Sequence, residues 1–303
     1  MTRNIILKHA GGELANQLWN YISVYAYSLE IGAKTRNPSF YEYHNFFNFL
    51  KDEKIRTKLY SLFFKVPRRR SHWINKVFRI KYKIEAKIIE SLHKSSTISS
   101  QNTSNRTFPL PPSLPLTRKS KDLYFTGWLF RNPIGIEKFR PQIIEAFKPT
   151  KTIEKKIEEI IGDLNSKYKN VIGLHIRQGD YKTFRNGKYL INQKRVAEIC
   201  HQYLGNVGFD SKNTVFVITS DGKIEGENFA DLQIYTSKEN AVTDLFLLSK
   251  TQAIIGSDSS FGHFSAWYGN IPHIVLKNEN IDWQYYEGKD KYFINKYLEL
   301  LPL

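Results

Sequence analysis

The sequence is poor in the features that mark several common classes of protein. It contains one cysteine, Cys200, which excludes an intramolecular disulfide and fits a reducing compartment. No apolar stretch approaches the roughly 18 residues that a membrane-spanning helix needs. The N-terminal residues enter a strand pattern directly, without the apolar segment of a signal peptide. These features predict a cytoplasmic protein.

Several ligand-binding patterns are also missing. The chain has no Gly-x-Gly-x-x-Gly fingerprint and no Walker loop. It also has no Asp-x-Asp pair, no His-x-x-x-His pair and no cysteine cluster. We therefore expect no metal site and no cofactor. A diphosphate ligand would have to be neutralised by arginine, helix dipoles and backbone N–H groups instead.

Negative charge is scarce in the first half of the chain only. Residues 1–150 contain 26 Lys or Arg and 10 Asp or Glu, whereas residues 151–303 contain 19 of each. This asymmetry predicts two domains that meet near residue 150. The basic excess is densest around Lys65 to Trp73, where aromatic residues accompany the cations. Such a mixture suits an anionic membrane surface, a polyanionic acceptor or nucleic acid, and it is also found on ordinary solvated faces.

Strand and helix patterns alternate regularly in the second half. Apolar runs at strand length are separated by segments of helical periodicity, which predicts a doubly wound, mainly parallel α/β sheet. In the first half, a strand over 3–9 and a glycine turn precede a helix over 14–31. Aromatic and basic helices are predicted within 40–94, a loop over 95–118, and a strand over 123–128. The segment 289–300 is predicted to be the last helix.

The most informative motif follows the predicted strand 171–176. Within six residues it provides His175, Arg177, Gly179 and Asp180. Parallel strands of an α/β sheet present ligand sites at their carboxyl ends. Arginine can hold a phosphate through two parallel hydrogen bonds, and glycine permits close backbone approach. The pattern predicts a phosphate site beside a potential acid or base; a structural Arg–Asp pair is the alternative.

Two later strands end in further polar groups. Ser220 and Asp221 follow one of them and could bind a base or a ribose, or could form an ordinary Asp-Gly turn. Ser257, Ser259, Ser260 and Phe261 follow the other strand and open a helix. Hydroxyl groups at a helix N-terminus suit a phosphate. Helix capping would explain one of these residues, but not all of them.

A glycine turn near the N-terminus offers one more anion site. Gly11 and Gly12 lie between the first predicted strand and its helix, and Asn16 and Gln17 could donate hydrogen bonds there. An ordinary strand–helix turn is the alternative interpretation.

Five motifs, in this order along residues 5–270, resemble the α-1,2-fucosyltransferases of glycosyltransferase family 11. The chain departs from the family pattern where a second arginine, a loop glycine and paired tryptophans are usual. Those positions carry Gln178, Ala15 and Gly262-His263-Phe264. The motifs are the Gly11–Tyr21 loop with Asn16-Gln17, Thr126-Gly127-Trp128, His175 to Tyr181, Asp244 to Ser249, and Ser259-Ser260-Phe261 with Ala266-Trp267.

The resemblance implies a fold of the GT-B type, with two Rossmann-like domains. Residues 1–150 would be the acceptor-side domain with a basic helical insertion, and residues 151–303 would bind the nucleotide sugar. The donor would be GDP-L-fucose, and transfer would be inverting and metal-independent. The acceptor would be a hydroxyl, O-2 of a galactose-like residue, on a surface glycan or its precursor. The alternatives are a transferase using another GDP-sugar and, in a different class, a basic nucleic-acid-binding protein.

The resemblance also implies roles for individual residues. Arg177 would bind the diphosphate, and His175 would bind the ribose or a phosphate. Ser259, Ser260 and Phe261 would lie around the phosphates. The Gly11-Gly12 amides and Asn16 would close over the diphosphate from the other domain.

An inverting transfer also needs a group that takes the acceptor proton. Asp180, Glu13 and His9 are the candidates, and the sequence does not choose among them. The resemblance implies a GDP-sugar and a glycan as partners, without nucleic acid, and the basic excess could place the protein on the inner face of an anionic membrane.

Overall fold

The described residues up to Thr150 form one compact unit, and those from Lys151 to Tyr286 form a second. Within the described residues, no helix is both long and apolar enough to cross a membrane. The computed structural model describes residues 4–7, 12–40, 42–43, 46–48, 80, 84, 87, 91, 97–99, 108–110, 122–127, 130–187, 189–276 and 280–286.

The first unit consists of the elements β1 (Asn4–Leu7), α1 (Leu14–Glu30), β2 (Lys34–Arg36), β3 (Thr97–Ser99), β4 (Phe108–Pro109), β5 (Asp122–Thr126), β6 (Phe130–Arg131), α2 (Pro133–Lys138) and α3 (Arg140–Ala146). Four of the strands form a parallel sheet with the order β2-β1-β5-β3. Strands β4 and β6 form a separate, two-stranded parallel sheet.

Helix α1 is buried along most of its length, which matches its apolar sequence. The side chain of Asn20 joins it to the turn after β5, because its amide nitrogen donates to the carbonyl of Gly127 and its oxygen accepts from the N–H of Phe130. Tyr27 of α1 packs against Phe125 of β5 in the core of this unit. The two hydrogen bonds of Asn20 and the packing of Tyr27 therefore fix the helix to the sheet.

The second unit consists of the elements α4 (Lys151–Lys167), β7 (Asn170–Ile176), α5 (Gln193–Val207), β8 (Thr214–Ser220), β9 (Gln233–Thr236), α6 (Ala241–Leu248), β10 (Ile254–Ser257), α7 (Ser260–Gly269), β11 (His273–Leu276) and α8 (Trp283–Tyr286). Its five strands form one sheet with the order β11-β10-β7-β8-β9, in which every neighbouring pair is parallel. The predicted parallel sheet of the second half is confirmed.

The central strands of this sheet are buried on both faces, as parallel strands between helices should be. All seven residues of β7 are buried, and β8 is buried except at Ser220. Helix α4 covers the sheet with one apolar stripe. Its buried residues recur at helical spacing, at Ile153, Ile157, Ile160 and Leu164.

One prediction for the first half was wrong. The predicted loop over 95–118 contains two strands, Thr97–Ser99 and Phe108–Pro109, and the first of them pairs with β5. A three-residue strand of Thr, Ile and Ser is too short to produce a periodic signal against a polar background. Most of the helical region predicted within 40–94, and the helix predicted over 289–300, lie outside the described residues.

Candidate donor-binding site

The carboxyl ends of three adjacent strands form the candidate site in the second unit. Strand β7 lies between β8 and β10, and His175 on β7 is in register with Thr219 on β8 and with Gly256 on β10. The polar residues that follow each strand therefore meet at one edge of the sheet. The structure thus brings together His175, Arg177, Ser220, Asp221, Ser257 and the Ser259–Phe261 turn.

His175 is buried at this edge and is neutral at physiological pH. Its Nδ1 lies 3.2 Å from Thr219 Oγ1, and its ring stacks on Phe261 at 4.7 Å between centroids. Burial, helped by the neighbouring charge of Arg177, lowers the pKa of His175 to about 3. Its Nε2 is buried without a hydrogen-bond partner among the described residues. The neutral His175 therefore uses Nδ1 for a hydrogen bond within the protein and has Nε2 available for a ligand.

Arg177 forms an ion pair with Asp221, with Nε 3.3 Å from Oδ2. The other carboxylate oxygen, Oδ1, accepts hydrogen bonds from the N–H groups of Gln178 at 2.6 Å and Gly179 at 3.0 Å. Burial alone would raise the pKa of Asp221, but these N–H groups and the charge of Arg177 outweigh it and hold that pKa below its ordinary value. Asp221 is therefore ionised and fixes the direction of Arg177.

Gly179 allows the Asp221 carboxylate to approach the backbone. A Cβ at position 179 would lie 2.9 Å from Asp221 Oδ2, which is closer than real Cβ contacts come. The predicted alternative of a structural Arg–Asp pair is thus partly realised, but with Asp221 as the partner. The side chain of Asp180 lies outside the described part of the chain; its backbone belongs to a short 3-10 turn, Asp180–Lys182.

Gln178 occupies the position where the family pattern has its second arginine, and its amide is used inside the protein. Nε2 donates to Ser220 Oγ at 3.3 Å and to the Lys223 carbonyl at 3.0 Å. Gln193 donates to the same carbonyl at 2.9 Å. Two glutamine side chains therefore hold the loop after β8. Gln193 is not recognisable from the sequence, because nothing in its local pattern separates it from other polar residues on a helix.

The segment Ser257–Phe261, the serine turn, caps helix α7 and also contacts the residues His175–Tyr181, the strand-end motif. Ser257 Oγ accepts from the Arg177 N–H at 3.1 Å, and Ser259 Oγ caps α7 by accepting from the Gly262 N–H at 3.5 Å. The capping interpretation of Ser259 is confirmed. Tyr181 donates its hydroxyl to the carbonyl of Asp258 at 2.8 Å. The loop after β7 and the turn after β10 are thereby joined.

The N-terminal glycine motif lies in the first unit, at the start of α1. Gly12 has a φ of 67°, and a Cβ there would lie 2.5 Å from Asn16 Nδ2, so glycine is required. Gln17 donates to the Gly12 carbonyl at 3.2 Å, which closes the turn. Glu13 accepts a 3.5 Å hydrogen bond from Tyr43. The remaining residues predicted for this motif, His9 and Gly11, lie outside the described residues.

The chain is a glycosyltransferase, because the profile of glycosyl transferase family 11 matches residues 136–298, more than half of its length. The chain therefore belongs to glycosyl transferase family 11. The matched segment contains all the strands that form the candidate site. No curated protein sequence matches the chain.

The fold is similar to solved fucosyltransferase structures. A mutant of Arabidopsis thaliana FUT1 in complex with GDP is 11% identical, with a TM-score of 0.52 over 91% of this chain and 71% of that chain. POFUT1 in complex with GDP-fucose is 9% identical, with a TM-score of 0.54 over 90% of this chain and 97% of that chain. The predicted fold class, of the GT-B type with Rossmann-like domains, is confirmed by this likeness.

Proposed function

We propose that the protein is an inverting fucosyltransferase that uses GDP-L-fucose as its donor. The grouping of Arg177, His175 and the Ser257–Phe261 turn at one sheet edge carries the proposal. Family membership supports glycosyl transfer, and the GDP-fucose held by POFUT1 and the GDP held by FUT1 support this donor. The proposed acceptor is O-2 of a galactose-like residue on a surface glycan or its precursor.

In the proposed reaction, an acceptor hydroxyl oxygen attacks the anomeric carbon of fucose from the face opposite the diphosphate. The bond between that carbon and the β-phosphate oxygen breaks, GDP leaves as an anion, and the configuration inverts. Arg177 stabilises the charge that develops on the diphosphate, and we expect this to be the largest contribution to the rate. Asp221 orients Arg177 throughout through the Nε ion pair.

The neutral His175 has a distinct role in this proposal. In the tautomer in which the Thr219 hydroxyl donates to Nδ1, the His175 N–H lies on Nε2, and this N–H would donate a hydrogen bond to a ribose or phosphate oxygen. Ser259 and Ser260 would lie around the phosphates. The acceptor proton would pass to Asp180, Glu13 or His9. Of these three, Glu13 has a described partner, the Tyr43 hydroxyl.

A thermal-shift panel tests the donor assignment. A ligand that binds the folded state alone raises the unfolding midpoint by mass action. We expect GDP and GDP-fucose to stabilise the protein, and GDP-mannose, UDP-sugars and an oligonucleotide to do so less. Stronger stabilisation by GDP-mannose would favour the rival GDP-sugar transferase. Stabilisation by the oligonucleotide alone would favour a nucleic-acid-binding protein and would overturn the proposal.

We also propose that transfer needs no metal ion. Arg177 and the backbone N–H groups at the start of α7 supply the positive charge that a metal supplies in other transferases. Activity in EDTA should therefore match activity in Mg²⁺ or Mn²⁺. A loss of more than about tenfold in EDTA, ~1.4 kcal/mol of barrier, would show that an ion carries the leaving-group charge.

The basic region of the first half is proposed to contact an anionic membrane surface from the cytoplasmic side, or a charged acceptor. The stretch Lys65 to Lys83 lies outside the described residues except for Ile80. Ile80 and Ile84 are helical and exposed, at 61% and 55%, and Lys87 continues the same helical spacing. Apolar side chains flanked by cations are typical of helices that lie at a membrane interface.

Replacing Arg68, Arg69 and Arg70 by serine should weaken binding to phosphatidylglycerol vesicles or to the natural acceptor. Each cation contributes up to about 1 kcal/mol near an anionic surface, screened over about 8 Å at physiological salt. Affinity for GDP should stay unchanged. The matched control replaces Lys151, Lys155 and Lys156 on α4 by glutamine. Loss of GDP binding with an intact fold would assign the stretch to the donor site, and no change at all would leave a solvated basic face.

A further inference from the structure

A buried pair formed by Asp258 and His263 lies directly behind the serine turn. His263 Nε2 is 3.2 Å from Asp258 Oδ1, and the two side chains are only 3% and 5% exposed. Placing a carboxylate in the protein interior is costly unless it is paired and hydrogen-bonded. The hydrogen bond between His263 and Asp258 therefore offsets the cost of burying the Asp258 carboxylate.

The turn between the two members of this pair carries the proposed phosphate contacts. Asp258 precedes Ser259 and Ser260, and His263 lies in the first turn of α7, so the hydrogen bond spans the whole cap. Within that span, Phe261 stacks on His175 with an interplanar angle of 21°. A change in the Asp258–His263 distance would therefore move both serines relative to His175.

His263 packs against a second buried histidine, His273. Its ring meets the ring of His273 edge to face, with centroids 4.7 Å apart, and His273 on β11 is fully buried. Gly262 makes room for this contact, because a Cβ there would lie 2.9 Å from the His273 ring. The carbonyl of Asp258 accepts a hydrogen bond from the Tyr181 hydroxyl. The Arg177 guanidinium lies 5.4 Å from the Tyr181 ring.

We propose that His263 is a positioning residue of the donor site, which fixes the Ser259–Ser260 turn through its hydrogen bond to Asp258. The inference rests on the donor site proposed above. His263 touches no ligand in this arrangement. It acts by keeping the hydroxyl and N–H groups of the turn at the distance from Arg177 and His175 that a diphosphate requires. Groups that bind a ligand work only when a surrounding set of contacts locks them in place.

Two substitutions that differ only in reach test this proposal. In His263→Gln, the amide nitrogen can take the place of Nε2 and donate to Asp258. In His263→Asn, the amide ends one methylene short and cannot. We expect His263→Asn to raise the dissociation constant for GDP about tenfold and His263→Gln to restore most of the affinity. The exposed His201 on α5, replaced by asparagine, is the matched control.

The measurement is calorimetric titration of GDP into the full-length protein, with thermal unfolding of each variant recorded in parallel. Wild-type affinity in both variants would overturn the proposal. Equal weakening in both variants would overturn it as well, because reach would then be irrelevant and His263 merely structural. If His263→Asn does not fold, Asp258→Ser removes the hydrogen-bond acceptor instead; GDP binding about tenfold weaker than in the wild type is then expected, and wild-type affinity would overturn the proposal. Absence of GDP binding by the wild type would instead refute the donor site itself.

Discussion

Replacing Arg177 by alanine should abolish sugar transfer while the protein remains folded. The guanidinium is the only cation of the strand-end motif, and the proposed reaction places the leaving-group charge beside it. Removing one such electrostatic contact in a water-poor site costs on the order of 10²–10³ in rate, and the loss of a full charge should cost at least that much. Turnover of a labelled GDP-fucose by the purified variant measures the effect.

The fold should survive because Asp221 keeps two of its partners. Its Oδ1 still accepts from the N–H groups of Gln178 and Gly179. Arg177→Lys should rescue poorly, since a compact ammonium cannot reproduce a planar fork that bonds a carboxylate and a phosphate together. Arg195→Ala on α5 removes an arginine that pairs with Glu198 at the surface and serves as the control. Near wild-type turnover in Arg177→Ala would make the diphosphate assignment wrong.

Acidification should destabilise the second unit well above the pH at which carboxylates titrate. Burial lowers the pKa of His175 to about 3 and, together with nearby His263, holds the pKa of His273 well below its ordinary value. The unfolded chain therefore binds more protons than the folded one below the ordinary histidine pKa, about 6.5. The free energy of unfolding should therefore be highest above that pH. It should fall as the pH drops from there toward the pKa values that the two histidines have in the folded protein.

The size of this effect follows from the linkage relation. Each such histidine removes about 1.4 kcal/mol for every pH unit below about 6.5, so His175 alone should cost about 2 kcal/mol at pH 5. Urea unfolding at pH 7.5 and pH 5.0 measures the loss. His273→Phe removes one of the two groups and should reduce the pH dependence, with His201→Phe as the control at an exposed site. An unchanged pH dependence in His273→Phe would contradict this account of the buried imidazole.

The sheet of the second unit is predictable from sequence because two of its central strands are long and apolar. β7 and β8 are seven-residue strands buried on both faces, and each ends abruptly in polar residues. A parallel sheet brings such ends to one edge, so the meeting of Arg177 with Asp221 and Ser257 was accessible in outline. Which of these residues would pair with one another was not predictable. That Asp221, rather than Asp180, would neutralise Arg177 depends on strand register, which a single sequence does not reveal.

Short elements of the first unit escaped prediction for a different reason. Helices α2 and α3 are six and seven residues long, too short for a clear apolar period. A local signal does exist for α2: Asn132 accepts from the Gly135 N–H as a helix cap, and Pro133 occupies the first turn. Caps of this kind also occur in ordinary turns, so the signal alone does not distinguish a helix from a loop.

Titration of GDP-fucose into the wild-type protein and into Arg177→Ala tests the central claim most directly. The claim is that the strand-end site of the second unit binds a GDP-sugar through Arg177. We expect saturable, one-to-one binding by the wild type without added metal, and a loss of at least about tenfold in affinity in the variant. No binding by the wild type, or equal binding by the two proteins, would contradict it.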